Sequence, residues 1–148
     1  MISNIIINKI SAENKLILKK QEKKMEIGNT LSIKKIEEQE LVSGSDKKEK
    51  TLFISYEFKI IYKTGENELG NIDFSGSLLW RSEDIEEFIE TWKKDKKLPE
   101  KYSFIIMNSI LRKCILSAIN ISEQINLPPP INIPIIQEKK VQNIEYIG

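Results

Sequence analysis

The sequence predicts an α+β fold, an antiparallel four-stranded sheet arranged as a meander and followed by two helices packed on one face. Three observations carry that reading. Two-residue alternation runs through Leu52, Ile54, Tyr56, Phe58, Ile60 and Tyr62, with Ser55, Glu57, Lys59 and Lys63 on the other side. A second alternating stretch follows a turn at Thr64-Gly65-Glu66-Asn67 and puts Ile72, Phe74, Leu78 and Trp80 on one face. From Ser82 onward the period changes to that of a helix, with Ile85, Phe88, Ile89 and Trp92 on one stripe. Strands come first and helices second, so the helices cover the dry face of the sheet.

The remaining elements fall into place around these. The β-branched run Ile5-Ile6-Ile7 predicts a first strand over residues 2–10. Residues 11–28 are ambiguous, because Leu16-Ile17-Leu18 is flanked by lysines on both sides. Gly28-Asn29 reads as a turn. Leu31 to Leu41 reads as a strand whose alternation breaks near Lys34-Lys35, where a bulge restores the phase. Residues 43–48 make a polar hairpin loop. Ser82 suits a helix N-cap, with acids in the first turn and Lys93, Lys94, Lys96 and Lys97 closing the last. Pro99 then separates this helix from a long one.

That long helix holds the main functional clue. Between Phe104 and Ile121 only Asn108, Ser109, Arg112, Lys113, Ser117 and Asn120 are polar. A helix apolar on all but a narrow strip needs cover on several sides, and one small sheet supplies one of them. A second helix, another subunit or a ligand must supply the rest. Packing accounts for most of these aliphatics. The tail Leu127-Pro128-Pro129-Pro130-Ile131-Asn132-Ile133-Pro134-Ile135-Ile136 suits both a strap over the core and a groove wall. Residues 136–148 read as a frayed end of the single domain spanning 1–148.

Composition narrows the function classes. A formal net charge of +1 gives no whole-molecule field for nucleic acid or an anionic membrane. The lysine clusters at 19–24, 47–50 and 93–97 are interleaved with or adjacent to acids and lack stacking aromatics among them, so a solvated surface fits better than a nucleic-acid module. With one cysteine, no internal disulfide forms, and with no histidine, the commonest general base and metal ligand is missing. Cys114 therefore reads as a buried structural thiol. There is no Gly-rich phosphate loop, no metal-ligand spacing and no triad-like set, so no catalytic residue, metal or cofactor is expected. The first ten residues lack a basic leader, and Arg112 and Lys113 interrupt the most apolar segment. A cytoplasmic protein with no membrane insertion is expected.

Several local patterns resemble the SecB family of export chaperones, and more closely the SecB-like proteins of archaea. Leu127-Pro128 and Pro134 keep the Pro-to-Pro spacing of the family's apolar tail. Arg112-Lys113-Cys114-Ile115 sits where the family has an Arg-Glu-Cys-Ile run in its long helix. The Gly65-Glu66 turn, Asp73-Phe74 and Ser75-Gly76-Ser77 fit its central hairpin. The resemblance implies an ATP-independent holdase that binds unfolded polypeptide in apolar grooves, assembled as a homotetramer from a pair of dimers. Under that reading Trp80, Trp92, Phe104, Ile131, Ile133 and Ile135 are the expected client contacts. Glu13 and Asp73 match carboxylates that dock a translocase component, whereas Lys9 stands where another is expected. The rival reading is a dedicated chaperone for one partner, such as an antitoxin.

Overall fold

A computed structural model describes residues 1–15, 24–42, 48–81 and 84–132. The four strands are β1 (Ile2–Asn14), β2 (Glu26–Val42), β3 (Lys48–Thr64) and β4 (Asn67–Trp80), and the helices are α1 (Ile85–Asp95) and α2 (Glu100–Gln124). The sheet is antiparallel throughout and ordered β1-β4-β3-β2. The meander therefore covers β2, β3 and β4 only. β1 does not extend it at the β2 side but lies against β4, from Ile2 opposite Trp80 to Asn14 opposite Gly70. Local periodicity specifies which face of β1 is apolar, and it is silent on which edge β1 joins.

The core sits between one sheet face and the helices. Leu52, Ile54, Tyr56, Phe58, Ile60 and Tyr62 are all buried, as are Ile72, Phe74, Leu78 and Trp80 beside them. The break in β2 lies between Ile33 and Lys35, and it lets Leu31, Ile33 and Ile36 all pack against the core. β2 starts earlier than the sequence suggests. Gly28 and Asn29 are in the strand, opposite Ile61 and Ile60, instead of forming a turn. The long β3 template holds them there, and a Cβ at Gly28 would meet nothing within 4 Å. The β3–β4 hairpin turns through Gly65 at φ 60°, a conformation that glycine adopts without strain.

Gly76 has a different task. A Cβ there would lie 1.9 Å from the Ile6 carbonyl oxygen and 2.6 Å from the Tyr56 hydroxyl. The missing side chain lets Tyr56 cross β4 and donate to Ile6 O at 2.8 Å, tying edge strand β1 to the middle of the sheet.

Ser82 and Glu83 lie outside the described residues, and α1 begins after Asp84, which makes no side-chain capping bond. Instead its carboxylate accepts a hydrogen bond from Tyr102 in α2. Lys96 closes α1 in the left-handed region, its N–H donating to Trp92 O. Pro99 precedes α2, whose buried residues Ile106, Ile110, Cys114, Ala118 and Ser122 recur every fourth position. At its C-terminus Leu127 N donates to Ser122 O and Asn126 N to Glu123 O, with Asn126 at φ 59°. This is a Schellman stop with asparagine in the left-handed position.

The tail beyond α2 crosses the end of the sheet. Asn14 of β1 donates to Ile125 O at 2.7 Å, buried Leu127 packs on Gly70 of β4, and Tyr62 of β3 donates to Pro128 O at 2.7 Å. Residues 127–130 are thus the strap that the sequence suggested, while Ile133 to Ile136 lie outside the described residues.

Candidate functional site

Apolar side chains remain open to solvent around α2 after the core is formed. One such surface is an open groove of about 780 Å³ where the end of α1, the connection through Leu98-Pro99 and the first turns of α2 meet Ile33 of β2. Trp92, Leu98, Phe104 and Met107 line it together with Ile33. Its rim carries charges of both signs, including Glu87, Asp95, Lys96 and Glu100. Trp92 is half-buried and lies 5.5 Å from the Lys96 ammonium, which sits over its ring. Phe104 is 77% exposed. Local rules explain the arrangement. Trp92 ends the α1 stripe, Pro99 breaks the chain, and Phe104 falls on the side of α2 turned away from the Ile106–Ser122 row.

Another is the outward face of α2, where Phe104, Ile105, Leu111 and Leu116 are exposed and Ile115 and Ile119 half-buried. Only 22% of the most apolar window of this helix is buried. By length and composition α2 is also long and apolar enough to cross a bilayer, although Arg112 and Lys113 lie in its middle. The surplus of apolar surface that the sequence shows on the long helix is therefore present in the fold.

The structure brings some of the expected contact residues together and separates others. Trp92 and Phe104 share the groove. Trp80 is only 3% exposed and belongs to the core. Its ring packs 5.2 Å from Phe88 and 4.9 Å from Tyr102, and Phe88 and Tyr102 stack nearly parallel at 5.3 Å. The Trp80 indole N–H is buried without a hydrogen-bond partner among the described residues. Ile131 is exposed but lies past the far end of α2, a helix of 25 residues and so about 37 Å long. Ile133 and Ile135 are outside the described residues.

Sequence reasoning missed Tyr102 and Asp84, whose hydrogen bond fastens the start of α2 to the start of α1. It raises the Tyr102 hydroxyl pKa. A tyrosine in the first turn after Pro99, four residues before buried Ile106, was the available signal.

Glu13 and Asp73 lie on the sheet face away from the helices. Glu13 pairs with Asn71, Ser11 with Asp73 and Lys9 with Ser75, so Lys9, Glu13 and Asp73 share that face. Asp73 is half-buried, and desolvation holds its carboxyl above the usual range against the opposing pull of Lys59. Among the described residues no set of three acidic or cysteine side chains is placed to hold a metal ion. Cys114 is buried against Tyr56, and burial pushes its thiol up to about 11, so it stays protonated at neutral pH.

The architecture, a four-stranded antiparallel sheet carrying two helices on one face, is the SecB-like fold. Among solved structures the chain is similar to the Mycobacterium tuberculosis Rv1957 SecB-like chaperone, solved in complex with a ChAD peptide from the Rv1956 HigA1 antitoxin. The match has a TM-score of 0.54 at 11% identity and covers 93% of this chain and 91% of that one. At that identity the likeness establishes a shared fold. No family model matches the chain, and no curated protein matches it.

Proposed function

We propose that this chain is an ATP-independent holdase of SecB-like type, akin to the archaeal proteins that its sequence resembles. It binds unfolded or extended polypeptides and carries out no catalytic step and needs no cofactor. The observation that carries this reading is the groove, where Trp92, Phe104, Met107 and Ile33 present apolar surface to solvent inside a SecB-like fold. Client side chains buried there gain roughly 25 cal/mol per Å² of apolar area. The mixed charges of the rim affect association rate and salt sensitivity more than affinity.

The exposed face of α2 suits self-association, and the assembly proposed is a homotetramer built from two dimers. A cytoplasmic location and a role in protein export complete the reading, with Glu13 and Asp73 as the docking carboxylates for a translocase component. Ile131, Ile133 and Ile135, which follow α2 in the chain, are proposed as further client contacts, whereas Trp80 belongs to the aromatic core with Phe88 and Tyr102.

Light scattering from a refolding, aggregation-prone protein, without nucleotide, tests the reading. Stoichiometric amounts of the chain should suppress the signal. A folded chain that leaves scattering unchanged overturns general holding. The second reading, a chaperone dedicated to one partner, is favoured by the antitoxin peptide bound to the structurally similar mycobacterial protein. Unrelated unfolded proteins compete for one site under the first reading and fail to compete under the second.

A further inference from the structure

β2 is an edge strand, paired with β3 on one side and with no strand on the other among the described residues. Sheet edges invite pairing, and proteins usually guard them with charges, prolines or bulges. The two edges of this sheet are guarded differently. β1 is interrupted by irregularities at Ile2/Asn4 and Ile7/Lys9, and Lys9 stands in its middle. β2 has a single irregularity, between Ile33 and Lys35, with charged residues crowded after it. The preceding seven residues, from Ile27 to Ile33, pair regularly with β3 and contain no charged side chain and no proline.

This unguarded stretch leads into the groove. On its core-facing side Ile27 is 38% exposed, Leu31 and Ile33 are half-buried, and Ile33 itself lines the cavity. Just past the stretch, Lys34 pairs with Glu57 at 3.6 Å and Lys35 pairs with Glu37. An occupant thus meets outer main-chain groups that pair with no strand among the described residues, together with the apolar side chains of Leu31 and Ile33.

We infer that the edge of β2 from Ile27 to Ile33 binds an extended, uncharged polypeptide segment as a fifth strand, with alternate apolar side chains of that segment entering the groove of Trp92, Phe104 and Met107. The inference rests on the polypeptide-binding reading above and names how the client is held. Main-chain hydrogen bonds supply sequence-independent affinity, and the groove selects apolar residues at every second position. A segment with proline at a pairing position, or with charges at the groove-facing positions, binds weakly. A second copy of the chain is a poorer occupant. Its own Leu31 and Ile33 pack against its own core, so edge-to-edge pairing leaves the groove unfilled.

The test uses the full chain and a dye-labelled ten-residue peptide alternating valine with threonine between terminal lysines, read by fluorescence anisotropy. Two derivatives carry N-methyl groups on alternate main-chain amides, one on each parity. Pairing with an edge strand predicts that one parity weakens binding at least tenfold and the other leaves it within twofold. Hydrogen exchange should show amides between 28 and 32 protected on adding the parent peptide. Equal affinity for all three peptides overturns edge pairing while leaving side-chain capture in the groove intact. Absence of binding by the parent peptide overturns it too, and suppression of scattering then still reports on holding. If those amides are already protected in a dimer of the free chain and the peptide adds nothing, the edge belongs to self-association and the inference is wrong.

Discussion

Replacing Phe104 with serine probes the groove while sparing the core beneath it. A phenylalanine side chain offers roughly 200 Å² of surface. With 77% of Phe104 exposed, about 150 Å² is open to an incoming chain. If a client covers half of that area, burial at roughly 25 cal/mol per Å² contributes about 2 kcal/mol. That corresponds to about a 25-fold loss of affinity in Phe104→Ser. The folded monomer loses little, because the ring touches solvent more than protein, and unfolding free energy should change by less than about 0.5 kcal/mol. Anisotropy titration with a dye-labelled, permanently unfolded protein reads the affinity, and urea denaturation reads the stability. Phe88→Ala is the contrast. Its ring is fully buried against Trp80 and Tyr102, so it should cost about 3–5 kcal/mol of stability. An affinity for Phe104→Ser within twofold of the parent, at unchanged stability and oligomeric state, refutes the groove as the client site.

Gly76→Ala forces a Cβ onto the Ile6 carbonyl and the Tyr56 hydroxyl, and destabilisation by about 3 kcal/mol or more is expected in urea, with β1 amides exchanging first. Tyr62→Phe removes the donor to Pro128 O. Global stability should fall by only about 1 kcal/mol, while amide protection at Leu127 drops measurably. The Cys114 thiol ionises near 9.0 when unfolded and about 11 when folded, so the unfolded chain releases its proton first as pH rises. Its contribution is complete below pH 9 and is lost between pH 9 and 11, up to about 3 kcal/mol at about 1.4 kcal/mol per unit. Cys114→Ala should flatten that part of the stability–pH curve relative to the parent, and an unchanged slope refutes the burial argument.

The sequence was most informative where local pattern and tertiary environment agree. β3 is buried on one face along its length, and its alternation shows it directly. The irregularity at Ile33/Lys35 was legible because only an inserted residue returns Ile36 to the apolar face. Trp92 lies near the end of α1 and Phe104 near the start of α2, and both line the same groove, a juxtaposition that neither local pattern specifies. Other features depend on partners distant in the chain. β1 could satisfy its alternation at either edge of the sheet, and pairing with β4 is a long-range choice. Gly28-Asn29 carries a turn signature that seventeen residues of β3 override by offering a continuous partner strand. Trp80 has the composition of a groove residue, yet Phe88 and Tyr102 close over it, and that closure depends on the angle between two helices.

The fastening of α2 has a mechanical consequence. One end is clamped by Tyr102 to Asp84 and Trp80, the other by Leu127, Asn14 and Tyr62 to three different strands. The helix behaves as a beam held at both supports, loaded from below by the sheet along a single row of side chains. Whatever rests on its upper side carries none of the weight. Under the proposed holdase reading, cargo or a neighbouring subunit would arrive and leave without loosening the joints, and occupancy of that side and integrity of the fold would be separate variables.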